Sequence, residues 1–294
     1  MLRTAQFIDT YFPVIDGVIR TVYNYAYYLN QQTDYCCVFA PRYKGYKDNS
    51  PFDVFRTAGL KIPFIGYSYS MPKLSKAAYD VIKTKDFDLF HAHSPFQMGY
   101  YALSMGHKMD VPVVATFHSK YYDDFKRVTK SDVMAQLVVD TIVKFYENVD
   151  SVWSVNKGTA GTLRDYGYKG EIFVINNGTD MEAPDNIQKL TADARRRFNL
   201  PEDKKLLLFT GHLIWQKNLK LILDTIKLLA GVRKDFLMLF VGNGYNEKEI
   251  KKYAEELELG PYVRFLGQIE DRTLLQGVYG AAELFFFPSI YDNA

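Results

Sequence analysis

Residues 89–118 read LFHAHSPFQMGYYALSMGHKMDVPVVATFH. Two short apolar runs, 89–91 and 113–117, flank a helix-length segment at 95–108, where Pro95 follows Ser94 as a helix-start signal. Working outward, the same rhythm recurs. Strands are predicted at 4–8, 35–39, 53–56, 151–154 and 172–175, with helices at 17–31, 73–84, 131–148 and 157–166. The 131–148 helix opens at Ser131 and carries an apolar stripe of Val133, Leu137 and Phe145. Strands that alternate with helices in this way imply a parallel sheet covered on both faces.

The rhythm breaks at Thr179, where Pro184, acids and amides replace apolar periodicity. It then restarts, with strands at 206–210, 236–241, 263–266 and 283–288 and helices at 219–229, 247–257 and 272–279. The expected organisation is therefore one α/β domain at 1–178, a linker at 179–190 and a second α/β domain at 191–294. The run LFFF at 284–287 has the doubly apolar character of a central parallel strand. Only seven residues follow Phe287, too few for a covering helix, so the second domain is expected to be incomplete and the chain a shortened form of a longer one.

Composition narrows the class. Of 294 residues, 48% are apolar and 24% charged, which is the profile of a globular protein. The net charge of +2 gives no reason to expect a nucleic-acid partner. Cys36 and Cys37 are adjacent in an apolar run, where strand geometry points them to opposite faces; they read as buried thiols of a reduced, cytoplasmic protein. No apolar stretch reaches the ~20 residues of a spanning helix, and the N-terminus does not read as a signal peptide. Between Pro41 and Lys76, seven basic residues stand against two acidic ones among several tyrosines. Such a surface suits peripheral contact with an anionic membrane, such as the inner face of the plasma membrane, or is a solvated loop region.

In a doubly wound sheet, ligands bind beyond the carboxyl ends of the strands. The first strand leads through DTYFPVIDGV to Gly17, which opens a helix either as a turn glycine or to admit a phosphate. HAHSPF places His91 and His93 on one strand face, and TFHSKY puts His118 at the next strand end. No third ligand accompanies the histidine pair at metal spacing, so no metal is expected. In the second domain, Gly211, His212 and Lys217 of GHLIWQKN could meet a diphosphate ahead of a helix. VGNGYNEKEI holds Gly242, Asn243 and Gly244 but lacks the third glycine of the dinucleotide fingerprint. There is no P-loop, HExxH, GxSxG or CxxC.

Taken in order, the loop at Gly17, HAHSPF, TFHS, SVWSVNKGT, VINNGTD, GHLIWQKN, VGNGYNEKEI, FLGQIED and FFFPSIYDN resemble the retaining glycosyltransferases of family 4. The DTYFPVIDGV and SPFQMGYYAL segments are most similar to members that glucosylate diacylglycerol or related lipids. The resemblance implies two Rossmann-like domains facing a crevice (the GT-B fold) and transfer of a hexose, with UDP-glucose as the first donor to consider. The acceptor is an unidentified hydroxyl, of a lipid at a membrane surface in the narrower likeness, and no cofactor or metal is implied. By the same resemblance, Gly17, Gly211, His212 and Lys217 contact the donor diphosphate, and His118 contacts the transferred sugar. Gly242, Asn243, Gly244 and the Gly267, Gln268, Ile269 loop hold the nucleoside, while Asp292 binds sugar hydroxyls. Asp16 and His93 are acceptor-side candidates. His212 stands where the family has arginine, and Asp292 replaces a glutamate whose partner would lie past Ala294. These departures leave a second reading open, a catalytically silent nucleotide-sugar-binding subunit.

Overall fold

The computed structural model describes residues 2–61, 68–179 and 183–289. The chain divides into two compact units between Gly178 and Thr179.

The first unit runs β1 (Arg3–Phe7), α1 (Gly17–Gln32), β2 (Tyr35–Pro41), β3 (Val54–Thr57), β4 (Gly59–Lys61) and β5 (Ser68–Ser70). It continues through α2 (Lys76–Thr84), β6 (Leu89–Ala92), α3 (Gln97–Met109), β7 (Val113–Phe117), α4 (Tyr121–Thr129), α5 (Asp132–Tyr146), β8 (Ser151–Ser154), α6 (Lys157–Asp165) and β9 (Phe173–Val174). Seven strands form a parallel sheet in the order β3-β2-β1-β6-β7-β8-β9, the doubly wound topology. Side chains alternate strictly across it. Ala5, Phe7, Cys37, Phe39, Phe90, Ala92, Ala115 and Phe117 join one apolar core with α2, α3 and α5. Cys36, Val38 and Ala40 face the other way, into a smaller cluster with α1. Both thiols are free and buried.

The second unit contains α7 (Ile187–Arg197), β10 (Lys205–Thr210), α8 (Leu219–Val232), β11 (Phe236–Val241), α9 (Glu247–Glu256), β12 (Val263–Gly267), α10 (Arg272–Ala281) and β13 (Leu284–Phe285). Its parallel sheet has the order β12-β11-β10-β13. Phe209, Phe236, Met238 and Phe240 pack on α8 and α9, whereas Leu206, Leu208, Leu237 and Leu239 pack toward α7 and α10.

Several sequence expectations are corrected here. Residues 187–190, expected as linker, are the first turn of α7, because Leu190 and Ala194 are buried and α10 approaches closely enough that a Cβ on Gly277 would strike the Leu190 carbonyl. The helix expected from residue 95 starts at Gln97, and Ser94 does not cap it; its hydroxyl is spent on Asp9. The stripe of Val133 and Leu137 is solvent-facing, while Ala135, Val139, Ile142 and Val143 form the buried side of α5. The predicted 73–84 helix is broken by a short turn at Pro72–Leu74, after which Ser75 caps α2 afresh. The β4–β5 hairpin and α4 had no clear sequence signal, since the former has three-residue strands and the latter a single buried side chain, Tyr121. The doubly buried LFFF strand is not observed: among the described residues β13 is an edge strand with Leu284 and Phe285 exposed.

Candidate functional site

At the carboxyl end of the first sheet, the chain leaves β1 and enters α1 at Asp16 and Gly17. Asp16 is the cap of α1, its Oδ1 accepting the Ile19 amide at 2.8 Å. Gly17 occupies the first helical position, and an added Cβ there would meet no atom within 4 Å. Beside it, Asp9 caps α3 from another strand. Its carboxylate accepts the Ser94 hydroxyl at 2.6 Å and the Met98 amide at 3.0 Å. Burial pushes the Asp9 carboxyl up to about 6, opposed by these hydrogen bonds.

The middle strands carry a buried polar face opposite the main apolar core. Gln6 comes from β1, His91 and His93 from β6 and its end, and Thr116 and His118 from β7 and its end; all five are almost wholly buried. His91 Nε2 bonds Thr116 Oγ1 at 2.7 Å, His93 Nε2 bonds Gln6 Oε1 at 2.8 Å, and His93 Nδ1 bonds His118 Nε2 at 3.1 Å. The rings of His91 and His93 lie 3.9 Å apart, with Tyr25 and Trp153 against them. Burial holds His91 and His118 down to about 3 and His93 well below the usual imidazole range, neighbouring imidazoles adding to the effect at His91 and His93. All three rings are therefore neutral near pH 7, suited to hydrogen bonding and not to supplying positive charge.

In the second unit, the loops after β10 and β11 pack backbone against backbone. Gly211 N donates to Val241 O at 3.0 Å and Leu213 N to Asn243 O at 2.8 Å. Gly242, at φ +132°, faces the Gly211 carbonyl, and Gly244 faces Leu213 so closely that a Cβ fits at neither. The two glycines of VGNGY thus have a packing reason. Gly267 turns the chain at φ +75°, its carbonyl accepting the Gly242 amide at 2.9 Å. Asn243 Nδ2 donates to Gln268 Oε1 at 2.5 Å, which links the two loops, while the Ile269 side chain packs into the core. His212 is exposed. Lys217 ends a short turn, Trp215–Lys217, with its ammonium 5.6 Å from the centre of the Phe287 ring. Asn218 then takes a left-handed conformation and starts α8.

The first unit thus brings Gly17, Asp16, His93 and His118 to one sheet end, and the second brings Gly211, His212, Lys217, Gly242–Gly244 and the 267–269 loop to another. Asp292 lies outside the described residues. Gln6 and the capping role of Asp9 were missed as site features. Gln6 had a signal, a carboxamide at a core position in RTAQFI, whereas the tie from Asp9 to α3 spans 89 residues of sequence and had none. Among the described residues no three His, Cys, Asp or Glu side chains are grouped to hold a metal ion. No described helix is long and apolar enough to cross a membrane.

The profile of glycosyltransferase family 4 matches residues 15–183, and that of the glycosyl transferases group 1 matches residues 191–294. The chain is 24% identical to an alpha-monoglucosyldiacylglycerol synthase of Streptococcus pneumoniae (strain ATCC BAA-255 / R6), over 99% of this chain and 67% of that protein. It spans about two thirds of the length of the curated relatives it matches. It superposes on the crystal structure of Anabaena Alr3699/HepE in complex with UDP-glucose with a TM-score of 0.69 at 16% identity, covering 97% of this chain and 73% of that one. Sucrose-phosphate synthase of Thermosynechococcus elongatus gives 0.71 at 18% identity, covering 100% and 77%. These likenesses identify a GT-B-type fold of two Rossmann-like α/β domains. With one family profile covering more than half of its residues, the chain belongs to glycosyltransferase family 4.

Proposed function

We propose that the chain is a nucleotide-sugar-dependent glycosyltransferase that moves a hexose, UDP-glucose being the donor to test first, to an acceptor hydroxyl with retention at the anomeric carbon. The observation that carries this reading is Gly17. Its backbone is not in the left-handed region and nothing among the described residues stands within 4 Å of the place a Cβ would take, so no packing among them requires glycine there. What the missing side chain leaves open is the start of α1, where the first amides have no intrahelical acceptor and the dipole favours an anion. We assign phosphate-binding roles to Gly17 in the first unit and, separately, to Gly211, His212 and Lys217 in the second. The linked loops of Asn243 and Gly267–Ile269 take the nucleoside, His118 a hydroxyl of the sugar, and Asp292 further sugar hydroxyls. Departure of the diphosphate separates a cationic sugar from an anionic leaving group, and Lys217 stabilises the latter. Asp16 stays on the acceptor side of this assignment, whereas His93, expected there from the sequence, is buried with its two ring nitrogens bonded to Gln6 and His118 and has none left for an acceptor.

A lipid acceptor is the finer part of the reading. Lys44, Lys47, Lys73 and Lys76 are exposed in the first unit, as are Leu60, Tyr69 and Leu74. The two acids of that stretch have partners of their own, Asp48 with Arg56 and Asp53 with the Tyr35 hydroxyl. Exposed lysines and apolar side chains in one stretch of sequence suit an anionic bilayer, and the pneumococcal relative is named for a lipid product.

Calorimetric titration with UDP, GDP and ADP, followed by transfer assays from UDP-glucose to diacylglycerol in phosphatidylglycerol vesicles, tests both parts. UDP binding with transfer is expected. Binding without transfer to any hydroxyl acceptor would indicate a silent nucleotide-sugar-binding subunit, and failure to bind any nucleoside diphosphate would sink the reading.

A further inference from the structure

The buried polar face of the first unit has a direction. Gln6 Nε2 donates to Cys36 Sγ at 3.6 Å, and its Oε1 is turned to His93 Nε2 at 2.8 Å. An oxygen there accepts, so His93 carries its proton on Nε2 and its Nδ1 is bare. That bare Nδ1 is 3.1 Å from His118 Nε2, which must then be the donor. His118 is left with an unprotonated Nδ1, which has no protein partner among the described residues and is not sealed from solvent. A carboxamide turned the other way would reverse both bonds and give His118 a donor at Nδ1.

We infer that Gln6 and His93 are positioning residues, a hydrogen-bond relay that holds His118 as its Nε2–H tautomer and so presents the Nδ1 lone pair as an acceptor for a hydroxyl of the transferred sugar. The tautomer follows from the orientation of the Gln6 carboxamide, with Oε1 toward His93, and the two bonds that lead from it. Its use on a sugar hydroxyl rests on the transferase reading. Two features mark the relay as more than packing. A glutamine within β1 and two imidazoles just past the ends of β6 and β7 are buried beside strands whose opposite faces are wholly apolar, an arrangement that costs core burial. The chain is also continuous over three side chains, from β1 and from the ends of β6 and β7, so changing its far end reaches His118 without touching it.

The test is long-range proton–nitrogen NMR of the chain labelled with ¹⁵N-histidine, in which protonated and bare ring nitrogens have distinct shifts, with His118 assigned by loss of its signals in His118→Gln. Wild type is expected to show Nε2–H at both His93 and His118. In Gln6→Met, which removes the acceptor at the far end, His93 is free to turn its proton to Nδ1 and His118 takes up the opposite tautomer. His93→Phe should also release His118, whereas His93→Asn, whose Oδ1 can replace the imidazole Nδ1 as acceptor, should keep it as Nε2–H. Turnover from UDP-glucose should fall roughly tenfold in Gln6→Met and His93→Phe, the worth of one net hydrogen bond, and recover in His93→Asn. A wild-type His118 protonated on Nδ1, or a His118 tautomer unmoved by both Gln6→Met and His93→Phe, would overturn the relay. Because the spectra are read without substrate, failure of the relay and failure of the transferase reading are separate results.

Discussion

Lys217 and Asp9 show two ways in which a single charged residue is committed by its surroundings. Lys217 stands at the end of a one-turn helix immediately before α8, with the Phe287 ring beside its ammonium. If it neutralises the leaving diphosphate, Lys217→Ala should lower turnover by about a hundredfold, close to the ~3 kcal/mol typical of one lost electrostatic donor, with a smaller change in KM. Steady-state kinetics with UDP-glucose checks this, and near-normal turnover would remove the residue from the mechanism. Asp9 acts on stability instead. Its folded carboxyl titrates near 6, above the ~3.9 of an unfolded aspartate, so between those values the folded chain holds a proton that the unfolded chain has released. Its contribution is therefore favourable at low pH and is lost as pH rises from about 4 to 6. Asp9→Asn should gain stability relative to wild type across that window, and urea unfolding at pH 4.5 and 6.5 would reveal it as a difference that changes with pH. The sequence suggested Lys217 because a cation in a strand-end loop is legible. It did not show what Asp9 does, because its partners Ser94 and Met98 are adjacent only after β1 and β6 have paired.

Glycines separate packing from propensity at the level of the helix. In the middle of α10, a Cβ on Gly277 would collide with the Leu190 carbonyl of α7, a backbone atom that cannot turn away. Alanine gains up to about 1 kcal/mol of helix propensity there, yet the overpacking term is roughly 1–3 kcal/mol, so Gly277→Ala should destabilise. Gly161, inside α6, has nothing within 4 Å, and Gly161→Ala should stabilise by up to ~1 kcal/mol. Chemical denaturation of the two variants checks the signs, and a stabilised Gly277→Ala would mean that the α7–α10 contact gives way easily. The same contact explains why the start of α7 resembled a linker. Its sequence IQKLTADARRR is polar, and only the small-residue face of α10 makes Leu190 and Ala194 core positions. For α5 the error had the opposite sense. Its apolar residues occupy more than one face, so periodicity allowed a stripe whose first members, Val133 and Leu137, are exposed.

Across the whole chain, the three buried histidines all belong to the first unit. Their folded-state values lie below the ~6.5 of a free imidazole, so the unfolded chain binds more protons as pH falls below that point and stability is lost. Asp9 opposes this between about 4 and 6, but one carboxyl does not offset three imidazoles. In the second unit the lowered carboxylates Asp224 and Asp235 lie near the surface and matter only below about pH 4. The chain has two tryptophans, Trp153 against His91 in the first unit and Trp215 in the second, so Trp→Phe variants isolate each signal. Between pH 7 and 5 the urea midpoint reported by Trp153 should fall and that reported by Trp215 should hold; equal shifts would show that the units unfold together or that the histidines are not the cause. The sequence by itself determined the α/β class, the two-unit division near residue 179, most strands and helices, and the strand-end loops, because hydrophobic period and turn chemistry are local properties. Tertiary structure alone decided that Gln6, His93 and His118 form one chain of hydrogen bonds, that Asp9 caps α3, and that Gly242 and Gly244 serve close packing of two loops. Those contacts join residues tens of positions apart, and their meaning depends on register between strands, which no local pattern encodes.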